Sequence, residues 1–225
     1  MKKYLSFPLL FFISLASAQT KTYDTLPNLP DHYLKRMELF KKEPIQKERI
    51  IMLGNSITEG GNWKSLLKDT TVINRGISGD VTFGVLNRTN DITERKPVKL
   101  FILIGINDLS RNTPDEVIIE NIFNLVGKMR SGSPKTVIYV QSILPINESF
   151  KNLNKNFVGK GEHITTINEQ LKKYAGKMKY TYIDLYTNFL DAEGHLDARY
   201  SVDGLHLNPS GYTHWVEVLK KEKNL

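Results

Sequence analysis

Ile50-Ile51-Met52-Leu53-Gly54-Asn55-Ser56-Ile57-Thr58 is an apolar run that ends on a glycine and passes at once into residues able to cap and start a helix. Four apolar residues in succession, without polar alternation, are what a strand covered on both faces requires, and such strands belong to parallel sheets. Four further runs read the same way, at residues 71–74, 98–104, 137–140 and 180–185. Helical signals lie between them. Thr113-Pro114-Asp115-Glu116 reads as an N-cap, a proline at the first helical position and a capping-box glutamate, followed by Ile118, Ile122, Leu125 and Met129 on one face. Ile164, Ile167, Leu171 and Tyr174 mark a second helix. Asn208-Pro209 opens the last one, with Tyr212, Trp215, Val216 and Leu219 facing inward. Residues 31–42 form an extra helix ahead of the first strand. Strand and helix alternating five times predicts an α/β fold, a three-layer α/β/α sandwich around a five-stranded parallel sheet with right-handed crossovers.

The chain is expected to carry a signal peptide over residues 1–18: Lys2 and Lys3, an apolar stretch too short to span a bilayer, then Ala16-Ser17-Ala18 in a small-x-small cleavage pattern. Retention of this stretch as a membrane anchor is the alternative, disfavoured by its length. Export to the periplasm or the extracellular space, with no stable membrane insertion after cleavage, is the expectation. Residues 19–225 then read as a single domain, of which 19–30 is a flexible lead-in. The absence of cysteine excludes disulfides and thiolate metal sites. The formal net charge of +7 includes Lys2 and Lys3, and the remaining lysines are scattered among acids, so no nucleic-acid partner is expected.

Chemistry concentrates where strands end. Ser56, Gly79 (in Gly76-Ile77-Ser78-Gly79-Asp80) and Asn107 (in Gly105-Ile106-Asn107-Asp108) fall just past the first three strands, where an open α/β sheet places its ligand crevice. Taken alone, Ser56 reads more readily as a helix cap and Gly79 as an ordinary left-handed turn, and Asn107 reads also as a plain turn residue. Asp203 and His206, three apart ahead of Asn208-Pro209, can place a carboxylate against an imidazole, holding one tautomer and stabilising the imidazolium.

In combination and in this order, the four segments resemble the SGNH hydrolases, or GDSL esterases and lipases. That family is marked by a Gly-Asp-Ser near the N-terminus, an isolated glycine, a Gly-x-Asn-Asp and a C-terminal Asp-x-x-His. The resemblance runs from Ile50 to Tyr212 and implies a flavodoxin-like sheet. It also implies Ser56 as nucleophile, His206 as general base with Asp203 as its partner, and an oxyanion hole from the Ser56 N–H, the Gly79 N–H and the Asn107 side chain. Asn55 stands where the family usually has aspartate, which leaves the chemistry in place but puts the hydrogen bonding of the nucleophile turn in question.

Three rival readings are weaker. An α/β-hydrolase expects a full Gly-x-Ser-x-Gly, where this chain has Thr58 in place of the second glycine, and a wide separation of acid and base. A metal hydrolase using Asp203, His206, His195 or His214 lacks a recognisable ligand run. A non-catalytic carbohydrate-binding protein on the same scaffold has no reason to carry every catalytic residue. The expectation is a metal-free and cofactor-free exported serine esterase acting on small-molecule or oligosaccharide esters, foremost O-acetyl esters of carbohydrates; a lipid acylhydrolase is the alternative. The carbohydrate part rests on the loop over residues 143–159, with Asn147, Glu148, Ser149, Asn152, Asn154 and Asn156 to bond hydroxyls, Phe150 and Phe157 to stack, and Lys151, Lys155 and Lys160 to favour an acidic sugar.

Overall fold

The computed structural model describes residues 29–222, 224 and 225; the signal peptide read over 1–18, and the lead-in up to residue 28, lie outside the described residues. Five strands, β1 (Ile50–Gly54), β2 (Ile73–Gly76), β3 (Lys99–Leu103), β4 (Val137–Gln141) and β5 (Thr181–Ile183), form one sheet. All neighbours are parallel and the order is β2-β1-β3-β4-β5, the doubly wound order of flavodoxin-like folds. The direction of winding reverses between β1 and β3, so the switch point lies over the C-terminal ends of the strands that precede Ser56 and Asn107. Ile51, Met52 and Leu53 of β1 and Leu100, Phe101 and Ile102 of β3 are fully buried, as expected for central strands with helices on both faces.

Among the described residues ten helices surround the sheet: α1 (Asp31–Lys42), α2 (Ser56–Glu59), α3 (Trp63–Leu66), α4 (Thr82–Asn87), α5 (Thr89–Thr93), α6 (Ile106–Ser110), α7 (Asp115–Gly132), α8 (Gly161–Met178), α9 (Leu185–Asn188) and α10 (Pro209–Lys221). The apolar faces expected for the long ones are inward: Ile118, Ile122, Leu125 and Met129 of α7, Ile164, Ile167 and Leu171 of α8, and Trp215, Val216 and Leu219 of α10 are buried. Tyr174 and Tyr212 are only half-buried. Asn208 caps α10 by accepting from the Gly211 N–H at 3.0 Å.

The third strand is shorter than the expected 98–104, and the fifth ends at Ile183 rather than 185 because Asp184 already caps α9 by accepting from the Thr187 N–H at 3.0 Å; two further differences lie at the second strand and at α7. The second strand begins at Ile73 rather than 71, because Asp69 accepts from both the backbone N–H and the hydroxyl of Thr71 at 2.8 and 2.7 Å and folds that residue into a turn. The capping box at Thr113 does not form: Pro114 itself occupies the N-cap position with φ −58° and ψ 144°, and no side chain caps α7. No helix among the described residues is long and apolar enough to cross a membrane.

Candidate active site

The turn after β1 is organised by Asn55. Its Oδ1 accepts from the Ile57 N–H at 3.0 Å and caps the four-residue α2, so Ser56 is the first helical residue and its N–H has no intrahelical acceptor. Aspartate at this position could make the same bond through one oxygen. What asparagine changes is the other branch, since the Asn55 Nδ2 is buried without a partner. Gly76 ends β2 against the backbone of α2, where a side-chain carbon would lie 2.2 Å from the Glu59 N; only glycine admits so close an approach.

Past β2 the chain turns with Gly79 at φ 77°, a left-handed conformation, closed by the Asp80 N–H donating to the Ile77 carbonyl at 3.0 Å. Gly79 is exposed, and a side chain there would meet no atom within 4 Å. Asn107, in α6 just beyond β3, is buried, and its Nδ2 donates to the Asp80 carbonyl at 2.9 Å, leaving its second N–H for another acceptor. Thus the ends of β1, β2 and β3 converge through a direct bond between the second and third segments.

The fourth segment completes a row. The Ser56 Oγ lies 3.0 Å from the His206 Nε2, and the His206 Nδ1 lies 2.7 Å from the Asp203 Oδ2. The other oxygen of Asp203 accepts from the Leu205 and His206 N–H groups at 3.0 and 2.7 Å, so one carboxylate both shapes the turn and orients the ring. Burial acts to raise the Asp203 carboxyl, but the hydrogen bonds from the His206 ring and from those two N–H groups outweigh it and hold the carboxyl below its ordinary range. It is therefore a carboxylate at neutral pH. The turn is tied to the nucleophile by the helix that follows it. The Tyr212 hydroxyl donates to the Ile57 carbonyl at 2.9 Å, and Trp63 meets Trp215 edge-on with ring centres 4.8 Å apart.

A buried scaffold that the motifs do not reveal supports these groups. Arg88, fully buried, pairs with Asp80 at 2.8 Å and donates to the carbonyls of Gly54 and Arg75 at 3.0 and 2.8 Å, so one guanidinium joins the ends of β1 and β2 to the Gly79 turn. Asp108 accepts from the N–H and the hydroxyl of Thr82, and Asn121 donates to that hydroxyl. Burial pushes the Asp108 carboxyl up to about 7 despite these bonds. Glu59, three residues after Ser56, accepts from the Ser78 N–H and hydroxyl at 2.5 and 2.7 Å. Nothing in the spacing of Arg88, Thr82 or Glu59 marks them. The only available signal is an acid in the first turn of a helix that starts on the serine.

Other candidates are placed elsewhere. His214 stacks on Tyr200 at 4.5 Å and bonds the Asn188 carbonyl, and His195 is exposed in a turn shaped by Asp191. Among the described residues no group of three His, Cys, Asp or Glu side chains is gathered as a metal site. In the loop after β4, Phe157 and Asn147 are buried, and Asn147 spends its groups on the Leu196 carbonyl and on Ser149. Asn154 caps the short turn Lys155–Phe157, and the Lys160 Nζ is bound to Asn112 at 2.7 Å. The expected polar platform is thereby reduced. Phe150, against the Gly204 of the Asp203–His206 turn, is half-buried, whereas Lys151 and Asn152 are exposed.

A serine, an imidazole and a carboxylate in one row beside uncommitted N–H donors define a hydrolase-type site. The chain belongs to the GDSL-like lipase/acylhydrolase family, whose model matches residues 52–214. It is 31% identical over 115 residues to an arylesterase of Vibrio mimicus, a match covering 44% of this chain and 57% of that relative. The fold is similar to that of a GDSL-like lipase from Bacteroides thetaiotaomicron, with TM-score 0.74 and 23% identity over 86% of this chain and 98% of that one. A mutant acetyl-xylooligosaccharide esterase from Geobacillus also shares it, with TM-score 0.64 and 18% identity over 81% of this chain and 97% of that one. The match spans little more than half the length of that arylesterase.

Proposed function

We propose that the protein is an exported serine esterase that removes O-acyl groups, foremost acetyl groups, from carbohydrates through an acyl-enzyme. The observation that carries this reading is the Ser56 Oγ, His206 ring and Asp203 carboxylate in one hydrogen-bonded row. Ser56 attacks the ester carbonyl as the His206 Nε2 takes its proton. The carbonyl oxygen, now negative, is received by the N–H groups of Ser56 and Gly79 and by the free N–H of the Asn107 amide. The C–O bond to the alcohol then breaks, and the proton held on His206 passes to the leaving oxygen. Water attacks the acyl-Ser56 ester with His206 again as base, releasing the acid and restoring the Ser56 hydroxyl. Asp203 remains ionised throughout and compensates the imidazolium.

Export is supported by the leader pattern of residues 1–18, which fits an enzyme acting on material outside the cytoplasm. The acetyl-carbohydrate assignment is supported by the fold shared with the acetyl-xylooligosaccharide esterase and by Phe150 beside the His206 turn, a ring able to lie against a sugar face. Fluorophosphonate labelling of wild type and Ser56→Ala, followed by hydrolysis of acetyl, butyryl and octanoyl esters of one alcohol, of acetylated oligosaccharides and of a lysophospholipid, tests the reading. Label on Ser56 with the highest kcat/KM for acetyl esters is expected. Preference for octanoyl esters or a lysophospholipid would move the assignment to a lipid acylhydrolase, and turnover with no label at Ser56 would end the serine mechanism.

A further inference from the structure

The two backbone donors proposed for the oxyanion, the Ser56 N–H and the Gly79 N–H, lie on separate elements, α2 and the turn after β2. Their value depends on a separation held to a fraction of an ångström, because a small misplacement of a donor is expensive in rate. We infer that Glu59 is the positioning residue that sets this separation, and that α1 holds Glu59 in place for it. This inference rests on the serine-esterase reading.

Glu59 shares the short helix α2 with Ser56, so its carboxylate is fixed relative to the nucleophile by three residues of backbone. One oxygen of that carboxylate takes both the N–H and the hydroxyl of Ser78. Holding Ser78 by two bonds orients its carbonyl, and the Gly79 N–H belongs to the same rigid peptide unit. The far side of this peptide is fastened as well: Arg111 donates to the Gly79 carbonyl at 3.0 Å, and Asn107 to that of Asp80. A left-handed glycine with open space around it has no packing of its own to define its orientation, so these bonds must supply it. Glu59 is the one among them that refers the turn directly to the nucleophile.

The carboxylate is in turn gripped from α1. The His32 Nε2 lies 3.0 and 3.1 Å from its two oxygens and the Arg36 Nε 3.3 Å from Oε1. Arg36 also donates to the Gly76 carbonyl at the end of β2, and the Tyr33 hydroxyl to the Gly84 carbonyl in α4. Helix α1 thus spans the outside of the same turn. The Glu59 side chain is only 19% exposed, and the hydrogen bonds from Ser78 and His32 with the Arg36 charge outweigh its burial and keep it ionised.

The test is steady-state hydrolysis of 4-nitrophenyl acetate, with active sites counted by fluorophosphonate titration and melting temperatures recorded for each variant. Glu59→Ala should lower kcat per titrated site by about 10–100-fold, with KM changed by less than about threefold. Glu59→Gln retains an acceptor for Ser78 and should fall between the two. Ser78→Ala, which loses only the hydroxyl bond, should cost about 2–10-fold in kcat without a change in melting temperature, and serves if Glu59→Ala does not fold. A simple structural role would lower the titrated fraction and the melting temperature while leaving kcat per titrated site at the wild-type value, and that result overturns the inference. So does a rise in KM alone. If wild type itself takes no label at Ser56, the esterase reading fails and this inference with it. Normal labelling with unaffected Glu59 and Ser78 variants sinks this inference only.

Discussion

The two halves of the site are built on opposite plans. The acid-base half is a single tight turn: Asp203 and His206 are three residues apart, the carboxylate is satisfied by two N–H groups of its own loop, and the His206 and Asp203 side chains remain 39% and 26% exposed. The nucleophile-oxyanion half joins the ends of β1, β2 and β3 through Arg88, Asp80 and Asn107, all buried, with bonds spanning 27 and 34 positions in sequence. A local turn can be tuned by changing one or two residues, whereas a donor cluster assembled from three strands needs a saturated polar interior. Mobility is tolerable for a ring that must accept and return a proton. It is not tolerable for donors that must meet a charge where it forms.

The largest effect is expected at the residue where the halves meet. Ser56→Ala should reduce kcat by at least about a thousandfold while the melting temperature stays at its wild-type value, since a half-buried hydroxyl at the start of a helix contributes little packing. Residual turnover within tenfold of wild type on an acetyl ester would remove Ser56 from the chemistry and leave the two halves without a common function.

Next is the buried side of the contrast. Arg88→Met leaves the Asp80 carboxylate unpaired in the interior and strips donors from the Gly54 and Arg75 carbonyls, so chemical denaturation should show a loss of about 3–5 kcal/mol. A loss below about 1 kcal/mol would mean that the nucleophile-oxyanion half is no more interdependent than the turn that carries His206.

Asn107→Ala tests whether that interior serves catalysis. One N–H of the amide is spent on the Asp80 carbonyl and the second is the proposed donor to the oxyanion, so kcat should fall about 10²–10³-fold with KM nearly unchanged. A change confined to KM would make Asn107 a ground-state binding group and shift the oxyanion onto the two backbone donors.

The same division explains what could be read from the chain. The Asp203-x-x-His206 turn, the Asn208 cap and helix α1 depend on neighbours in sequence, and their residue types announce them. The sheet was legible because central strands shed polar residues. Its second strand was displaced by two positions where Asp69, a local hydrogen-bonding competitor, bent the backbone at Thr71. Arg88, Thr82 and Glu59 were invisible for a different reason: such a group is recognised only through its partner, and the partners lie on other elements, Asp80 in the turn after β2, Asp108 in α6, and Ser78, His32 and Arg36 around Glu59. The loop after β4 failed in the opposite direction. Its asparagines look available in sequence, but backbone groups in a long loop must be satisfied, and Asn147 and Asn154 are consumed in doing so.

The finest test concerns Asp108, which lies behind the oxyanion side and has no counterpart near His206. Its folded-state value of about 7 lies above the ordinary carboxyl value of 3.8, chiefly because burial penalises the charge, with the neighbouring Asp80 adding to the effect. A carboxyl raised by folding binds its proton more tightly in the native state, so its contribution is most favourable at low pH and is lost as pH rises from about 4 to about 7. Glu59 and Asp203, held below their ordinary range, act with the opposite sign, losing their contribution as pH falls through their depressed values. Wild-type stability alone therefore mixes the two halves. The difference between Asp108→Asn and wild type separates them, because only Asp108 is removed. Asparagine loses a bond to Thr82 at every pH, which sets a constant offset. On that offset the variant should gain a few degrees of melting temperature relative to wild type between pH 4.5 and 8. A difference that stays flat across this range would mean that Asp108 is ionised in the native protein, held by Thr82 as firmly as Asp203 is held by its own turn.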